Sequence, residues 1–597
     1  MRPLGWINPA LLASSVIAQN VDTLFNHEGE DQILVSNNNS TQSPPKTTIG
    51  GKKNIVFILT DDQDAILDSV SYMPKLKKHI VDKGTSFINH FTTTAICCPS
   101  RVSLWTGKQP HNTNVTDVSP PYGGFPKFVS QGLNENYLPV WLQKSGYKTY
   151  YTGKLFNAHT INNYNSPYPA GWTGTNFLLD PGTYDYLNPI YQRNQEPPVH
   201  HKGVHTSDLI SKYAHGLLKE AIDSKNPFFV AIAPIASHSN INVDRKPGSP
   251  MTIPIPTKRH SHLFKGVKVP RTDNFNPDSP SSVSWIHKLS QLNSSAVSYI
   301  DDFYRARLQT LQSVDEIVEQ VVKQLEDAGL LEETYIIYSS DNGFHLGQHR
   351  LPPGKECGFD EDIRVPLFIR GPGVSTGSVE KAVTTHIDLA PTLLKLAGVE
   401  LREDFDGTPI PVLPDQRNKR HEHVAVEFWG VAIAEGDSGG FDGKGQINMP
   451  NNTYKGVRIV HEDYDLYYSA WCNNEHELYD LKTDPGQLNN LFPRDGKATV
   501  GTALLGTTTQ QVLNRLDALM LVLKSCKGEI CIEPWKVLHP EGGVASLKDA
   551  LRKEFDVFYK EQVKVRFDRC EDGYLIAAEG PQVGYEYREG LEWHHWT

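Results

Sequence analysis

Residues Asn54-Ile-Val-Phe-Ile-Leu-Thr60 form a short, almost unbroken apolar run rich in β-branched side chains, stopping abruptly at Asp61-Asp62-Gln63-Asp64. A run without polar alternation marks a strand covered on both faces, as in a parallel sheet. Pro74 to Asp82 predicts a helix ended by Gly84, and Leu138 to Lys144 a helix followed by a strand over Tyr147 to Tyr151. His205 to Ala221 again reads as helix, with Phe228 to Ala233 as its strand. The longest helical spacing runs from Tyr304 through Val318 to Leu325 before Gly329, and Thr334 to Tyr338 supplies another buried strand. This alternation predicts an α/β fold. Its acidic and polar clusters fall just beyond strand ends, where open α/β sheets place their ligands.

The texture changes near residue 410. Tyr454 to His461, Tyr464 to Ser469 and Glu477 to Leu481 are aromatic-rich segments between charged turns, which predicts a small antiparallel sheet, and Gln510 to Lys524 has the spacing of a helix packed on it. Pro534 to Thr597 is mixed and acidic and yields no assignable elements. At the other end, residues 19 to 50 are polar and read as a flexible leader. Before them, Arg2 and the apolar stretch Trp6 to Ala18 outline a secretory signal, although Asn8, Pro9 and two serines interrupt it; a misplaced start or a disordered tail is the alternative. The expected organisation is a leader and possible signal peptide over 1–50, a catalytic unit over 51–410 and a smaller C-terminal unit and tail over 411–597. No apolar run after the first residues approaches the roughly 18 needed to span a membrane.

Composition narrows the class. The 597 residues carry a net charge of -11, with 10% aromatic and 38% hydrophobic residues. This excludes a collagen-like or disordered acidic chain and argues against general affinity for nucleic acid or anionic membranes, while a local positive pocket can still hold an anion. At roughly 150 residues per domain the length amounts to about four equivalents, and two or three domains is the better expectation. The seven cysteines (97, 98, 357, 472, 526, 531 and 570) are too few for a disulfide-built scaffold, but Cys526 and Cys531 can close a small loop in an oxidising compartment. Sequons at Asn38, Asn39, Asn114, Asn293 and Asn451 lean toward the same compartment.

Candidate chemistry begins with Asp61-Asp62 after one buried strand and Ser339-Ser340-Asp341-Asn342-Gly343 after another. Adjacent carboxylates repel unless a cation compensates, so two such strand ends converging would make a hard oxygen site for Ca²⁺ or Mg²⁺. Each cluster alone is also what helix capping and turns require. In Cys97-Cys98-Pro99-Ser100-Arg101, Pro99 suits the first turn of a helix running to Thr106, which places Cys97 where the helix field favours an anion and Arg101 one turn along. A disulfide or buried thiol beside an ordinary arginine is the plainer alternative. Lys154, His238 and Lys355 are weak singly, but two follow predicted strands and the third lies in the loop after Asp341. One divalent cation with three or four cationic donors fits a tetrahedral sulfate or phosphate ester. No nucleophile elbow, phosphate-binding P-loop or zinc helix competes.

These residues resemble the formylglycine-dependent type-I sulfatases, with the nearest likeness to fungal arylsulfatases and N-acetylglucosamine-6-sulfatases. The likeness is carried by C-x-P-S-R with a following T-G at Cys97 to Gly107, G-Y-K-T-Y-Y-T-G-K at 146 to 154, S-D-N-G-F-H-L-G-Q-H at 340 to 349, I-R-V-P-L-F-I-R-G-P-G at 363 to 373, H-I-D-L-A-P-T at 386 to 392 and E-L-Y-D-L-K-T-D-P at 477 to 485. The resemblance implies an alkaline-phosphatase-like fold, a large mixed sheet flanked by helices with a smaller C-terminal antiparallel sheet and helix. It implies that a formylglycine-generating enzyme converts Cys97 to formylglycine (3-oxoalanine), whose hydrated form attacks sulfur with help from Asp341, giving a covalent sulfate as the aryl or sugar alcohol departs. Asp61, Asp62, Asp341 and Asn342, with the modified residue 97, would bind Ca²⁺, Mg²⁺ being the less favoured ion. Arg101 and Lys154 would hold diol and sulfate oxygens, while His238 and Lys355 contact sulfate and protonate the leaving oxygen. Cys98 occupies the family's variable position. Where many members have G-K-W-H, this chain has Gly153-Lys154-Leu155-Phe156-Asn157, so Asn157 or His159 would have to assist release of sulfate. The implied protein is an arylsulfatase secreted, or held in the cell-wall or periplasmic space, by the secretory pathway. A glycan sulfatase is the alternative substrate reading, and a secreted sulfo-ligand binder with an unmodified Cys97 the alternative of another class.

Overall fold

All seven residues of Asn54–Thr60 are buried, the physical reason for their unbroken apolar pattern, and they form β1 at the middle of a ten-stranded mixed sheet. The computed structural model describes residues 51–588 apart from 245, 247–250, 280–281, 284, 417–419, 438–439, 442–447 and 493–502. The expected leader and signal, with Asn38 and Asn39, and residues 589–597 lie outside the described residues. The other strands are β2 (Thr85–Phe87), β3 (Lys148–Lys154), β4 (Gly174–Leu178), β5 (Ile190–Arg193), β6 (Val199–His200), β7 (Phe228–Ala233), β8 (Thr334–Ser340), β9 (Leu367–Arg370) and β10 (Ser378–Glu380). Their spatial order is β10-β2-β9-β8-β1-β7-β3-β4-β5-β6. The central strands β8, β1, β7, β3 and β4 are parallel, while β9 on one side and β5 on the other turn antiparallel. A parallel block sends all its strand ends to one edge, so the segments leaving β8, β1, β7 and β3 meet there.

The pleat divides the core in two. Ile55, Phe57 and Leu59 face a layer containing helix α1 (Cys97–Thr106) and the helices Leu138–Lys144 and Leu389–Leu396. Val56 and Ile58 face the helices Pro74–His79 and Thr206–Asp223 and the long α2 (Ser294–Asp327). Helix α2 begins ten residues before the predicted Tyr304: its first turn, Ser294 to Val297, has no buried side chain, and Ile300 and Phe303 are the first apolar residues it buries; Asn293 caps it by accepting from the Ala296 N–H at 3.0 Å. The segment after Asn157 supplies β4 and β5 of the sheet, leaving only their connections free to line a site.

Beyond the first sheet, β11 (His423–Phe428), β12 (Tyr454–Val460), β13 (Asp465–Trp471) and β14 (His476–Asp480) form a four-stranded antiparallel sheet in chain order. Helix α3 (Thr509–Leu523) covers one face, packing Val512, Leu516 and Leu519 with Val457, Leu466 and Tyr468. The opposite face, with Val424, Val426, Tyr454 and Trp471, packs on Phe91 and Ile363 from connections of the large sheet. The previously unassigned segment after 534 is a chain of short helices whose Trp535, Leu538, Leu547, Phe555 and Tyr559 complete the core around α3. Cys526 pairs with Cys531, as their spacing predicts, and Cys472 pairs with Cys570 across 98 residues, which spacing does not predict. Among the described residues no helix is long and apolar enough to cross a membrane.

Candidate active site

Asp61 and Asp62 leave β1 beside Asp341 and Asn342 leaving β8, because the parallel register pairs Thr60 with Ser340. The Asp341 N–H donates to the Thr60 carbonyl at 3.1 Å and the Asp62 N–H to Asp341 Oδ1 at 3.1 Å, closing the two strand ends on each other. The segment leaving β7 joins on the other side, where Asp61 N–H reaches the Ala236 carbonyl at 3.1 Å and Ser237 N–H the Asp61 carbonyl at 2.7 Å. His238 follows directly. Lys154 is the last residue of β3, and a side chain on the preceding Gly153 would lie 2.0 Å from the Ala233 carbonyl oxygen, which explains glycine in that motif. Cys97 opens α1, which Gly107 closes in a left-handed conformation (φ 69°).

All of these side chains are buried, and they form one ion-pair network. Lys154 Nζ lies 2.6 Å from Asp61 Oδ2, Lys355 Nζ 2.7 Å from Asp62 Oδ1, and Arg101 Nε 2.7 Å from Asp341 Oδ2. Arg101 Nη2 is also 3.4 Å from Asp61, and His238 Nε2 3.8 Å from Asp62. Cys97 Sγ sits among them, 3.5 Å from Asp61 Oδ1 and 4.0 Å from Asp62 Oδ1. Burial opposes every charge here, and the outcome differs from group to group. Asp62 is held below the usual carboxylate range because Lys355, His238 and Lys154 outweigh its desolvation; Asp341 is lowered likewise by Arg101 and Lys154. Asp61 is raised by burial and by Asp341 despite Lys154 and Arg101. The Cys97 thiol is pushed well above its ordinary value by burial, with Asp61 and Asp341 adding to it against Lys154 and Lys355. Cys98 points the other way, into the core with Val102 and Phe125, and burial takes its thiol to about 12.

Three oxygen ligands, one each from Asp61, Asp62 and Asp341, lie within 4.8 Å of one another. Asn342 donates through Nδ2 to Asp62 Oδ1 at 2.8 Å, leaving its buried Oδ1 with no hydrogen-bond partner. Three carboxylates and an orphaned amide oxygen are the donor set a hard divalent cation takes.

The structure separates the two residues weighed for sulfate release. Asn157 Nδ2 donates to the Tyr184 hydroxyl at 2.6 Å, and Tyr184 stacks on the His238 ring at 4.1 Å with Lys154 Nζ 4.7 Å from its centroid. His159 instead packs between Phe125 and Phe177 at 4.5 and 5.3 Å, and burial lowers it to about 3, so it stays neutral. Two neighbours of the site escaped the sequence reading, Tyr184 and Glu435. Tyr184 is one of many tyrosines in its stretch, and Glu435 lies in an ordinary Glu-Gly-Asp turn segment 80 residues after Lys355; neither carries a local signal.

The Sulfatase family pattern matches residues 53–399. The chain belongs to the sulfatase family. This sulfatase is 39% identical to an arylsulfatase of Volvox carteri, over 87% of its own length and 82% of the relative's. An arylsulfatase of Chlamydomonas reinhardtii is 38% identical over the same shares, and the N-acetylglucosamine-6-sulfatase of Homo sapiens 31% identical over 81% of this chain and 86% of that one. A solved structure in complex with its substrate D-glucosamine-2-N,6-O-disulfate superposes on the sulfatase with a TM-score of 0.57 at 23% identity, covering 74% of this chain and 94% of that one. The likeness confirms the sulfatase fold. As a member of the family, the sulfatase is a hydrolase of sulfate esters.

Proposed function

We propose that this sulfatase is an arylsulfatase that cleaves aryl sulfates to a phenol and sulfate, working from residue 97 within the buried network above. The observation that carries the reading is the convergence of Arg101, Lys154, Lys355 and His238 on three carboxylates around Cys97 Sγ, at the ends of four adjacent strands. Asp61, Asp62, Asp341 and Asn342 are the proposed ligands of a divalent cation, Ca²⁺ ahead of Mg²⁺, with residue 97 beside them. When bound, that ion would polarise a sulfate oxygen and orient the nucleophile. Formylglycine at residue 97, made by a formylglycine-generating enzyme, would supply a hydroxyl nucleophile that a neutral buried thiol does not. Arg101 brings a planar fork of donors whose Nη2 has no hydrogen-bond acceptor, and with Lys154 it meets the sulfate oxygens. Asp341, held as a carboxylate, takes a proton at residue 97. His238 and Lys355 give one to the departing oxygen.

A sugar ester is the second reading, favoured by the 31% identity to N-acetylglucosamine-6-sulfatase. Tyr184 is a ring that an aryl group or a sugar face could stack against. The reading also includes passage through the secretory pathway, supported by two disulfides among the described residues.

The test combines mass spectrometry of the peptide spanning residue 97, in protein from its native host, with turnover of a chromogenic aryl sulfate and of a sulfated glucosamine. The expected result is a converted Cys97 and faster aryl turnover, abolished by chelation and restored better by Ca²⁺ than by Mg²⁺. An unmodified Cys97 without turnover would overturn the catalytic reading in favour of a sulfo-ligand binder. A strong preference for the sugar ester would keep the chemistry and replace the substrate.

A further inference from the structure

We infer that Glu435 is a positioning residue of this site, a carboxylate delivered from the C-terminal half that fixes Lys355 and the His238 segment against each other. The inference rests on the sulfate-ester reading above. Glu435 is buried, with Oε1 2.8 Å from Lys355 Nζ. Its Oε2 accepts from Ser239 Oγ at 2.8 Å and lies 3.9 Å from His238 Nε2. The two oxygens of one carboxylate thus address both groups assigned to the leaving oxygen.

The backbone around Glu435 is tied to the Lys355 loop as well. Glu435 N–H donates to the Pro353 carbonyl at 2.7 Å, Ile433 N–H to Glu356 Oε2 at 2.5 Å, and Asn452 Nδ2 to the Glu356 carbonyl at 2.8 Å. A lysine head on a flexible four-carbon stem is poorly located by one partner. Here Nζ is held by both Asp62, just past the end of β1, and Glu435.

Charge distinguishes positioning from mere bracing. Asp61, Asp62, Asp341 and Glu435 oppose Arg101, Lys154 and Lys355 in one buried volume. Glu435 therefore weakens the attraction of the pocket for any sulfate anion while improving the placement of Lys355. An interaction of this kind lowers ground-state binding and raises turnover.

Glu435→Gln keeps the size and removes the charge. In the full-length matured enzyme, kcat for a chromogenic aryl sulfate should fall about 10- to 100-fold, while inorganic sulfate, measured by calorimetry, should bind at least about 3-fold more tightly. Unchanged kcat overturns the inference, and so does a parallel loss of kcat, sulfate affinity and melting temperature, which marks a structural brace. Ser239→Ala gives a second reading should the first variant not fold: it leaves the charge but frees Oε2, so kcat should drop about 3-fold at unchanged sulfate affinity, and an unaltered kcat counts against the role. Failure of the wild-type enzyme to cleave either aryl or sugar sulfate is a different result, which removes the sulfate-ester reading and this inference with it.

Discussion

Phe156 and Asn157 are adjacent in the chain and belong to different parts of the molecule. Phe156 is 1% exposed and packs its ring 4.6 Å from Phe128, so it is core. Asn157 reaches the site through Tyr184, with its own Oδ1 buried and without a hydrogen-bond partner. Phe156→Ala should cost about 3–5 kcal/mol of stability and leave kcat/KM of the folded enzyme near wild type. Asn157→Ala should do the reverse, slowing sulfate release relative to phenol release about 10-fold in single-turnover experiments that follow both products. An unchanged second phase would remove Asn157 from the mechanism. Neutral, ring-packed His159 is the less suitable partner, a distinction no spacing rule could make.

At the scale of elements, a buried charge cluster ties the small sheet to the segment that follows α1. Glu427 on β11 accepts from the His111 backbone N–H at 2.8 Å and pairs with the His111 ring at 2.8 Å and with Lys455 on β12. Burial would raise its carboxyl, but His111 and Lys455 outweigh burial and bring it down to about 2 from 4.5. A lowered folded-state value means the carboxylate's contribution is fully present above the unfolded value near 4.5 and is lost as pH falls toward 2. The shift corresponds to roughly 3 kcal/mol. Glu427→Gln should therefore lower stability at neutral pH by an amount of that order and flatten the acid limb between pH 4.5 and 2, measured by denaturant titration across pH. Retention of the full wild-type acid dependence would assign that limb to other carboxylates.

For the whole molecule, the Cys472–Cys570 bridge closes a 98-residue loop that contains α3 and most of the short helices. Loop closure of that length is worth about 2–5 kcal/mol. The Cys472→Ser, Cys570→Ser double variant should melt several degrees lower under non-reducing conditions, and an unchanged melting temperature would show that packing around α3 alone holds the tail. The candidate site also draws on this scale, since Lys355, after β8, pairs with Glu435, which lies beyond β11.

Much of the fold is legible locally because buried parallel strands write continuous apolar runs. Phe228–Ala233 coincides with its predicted strand, and Thr334–Ser340 extends the predicted one by two polar residues that lead into the site. The first turns of α2, the strands inside 157–197 and the helices after 534 were not legible, because their burial is set by partners distant in the chain. The acidic strand ends, the cysteine motif and the separate lysines are likewise plain in the chain as residue types. From the sequence alone come the α/β alternation, the family motifs and the residue types proposed for sulfate chemistry. Only the tertiary structure decided that Asp61 meets Lys154, that the Cys97 thiol is buried as a neutral group, that Asn157 and not His159 adjoins Tyr184, and that Glu435 closes the network. Those outcomes follow from the parallel register and from desolvation, which act between residues far apart in the chain and leave no local pattern.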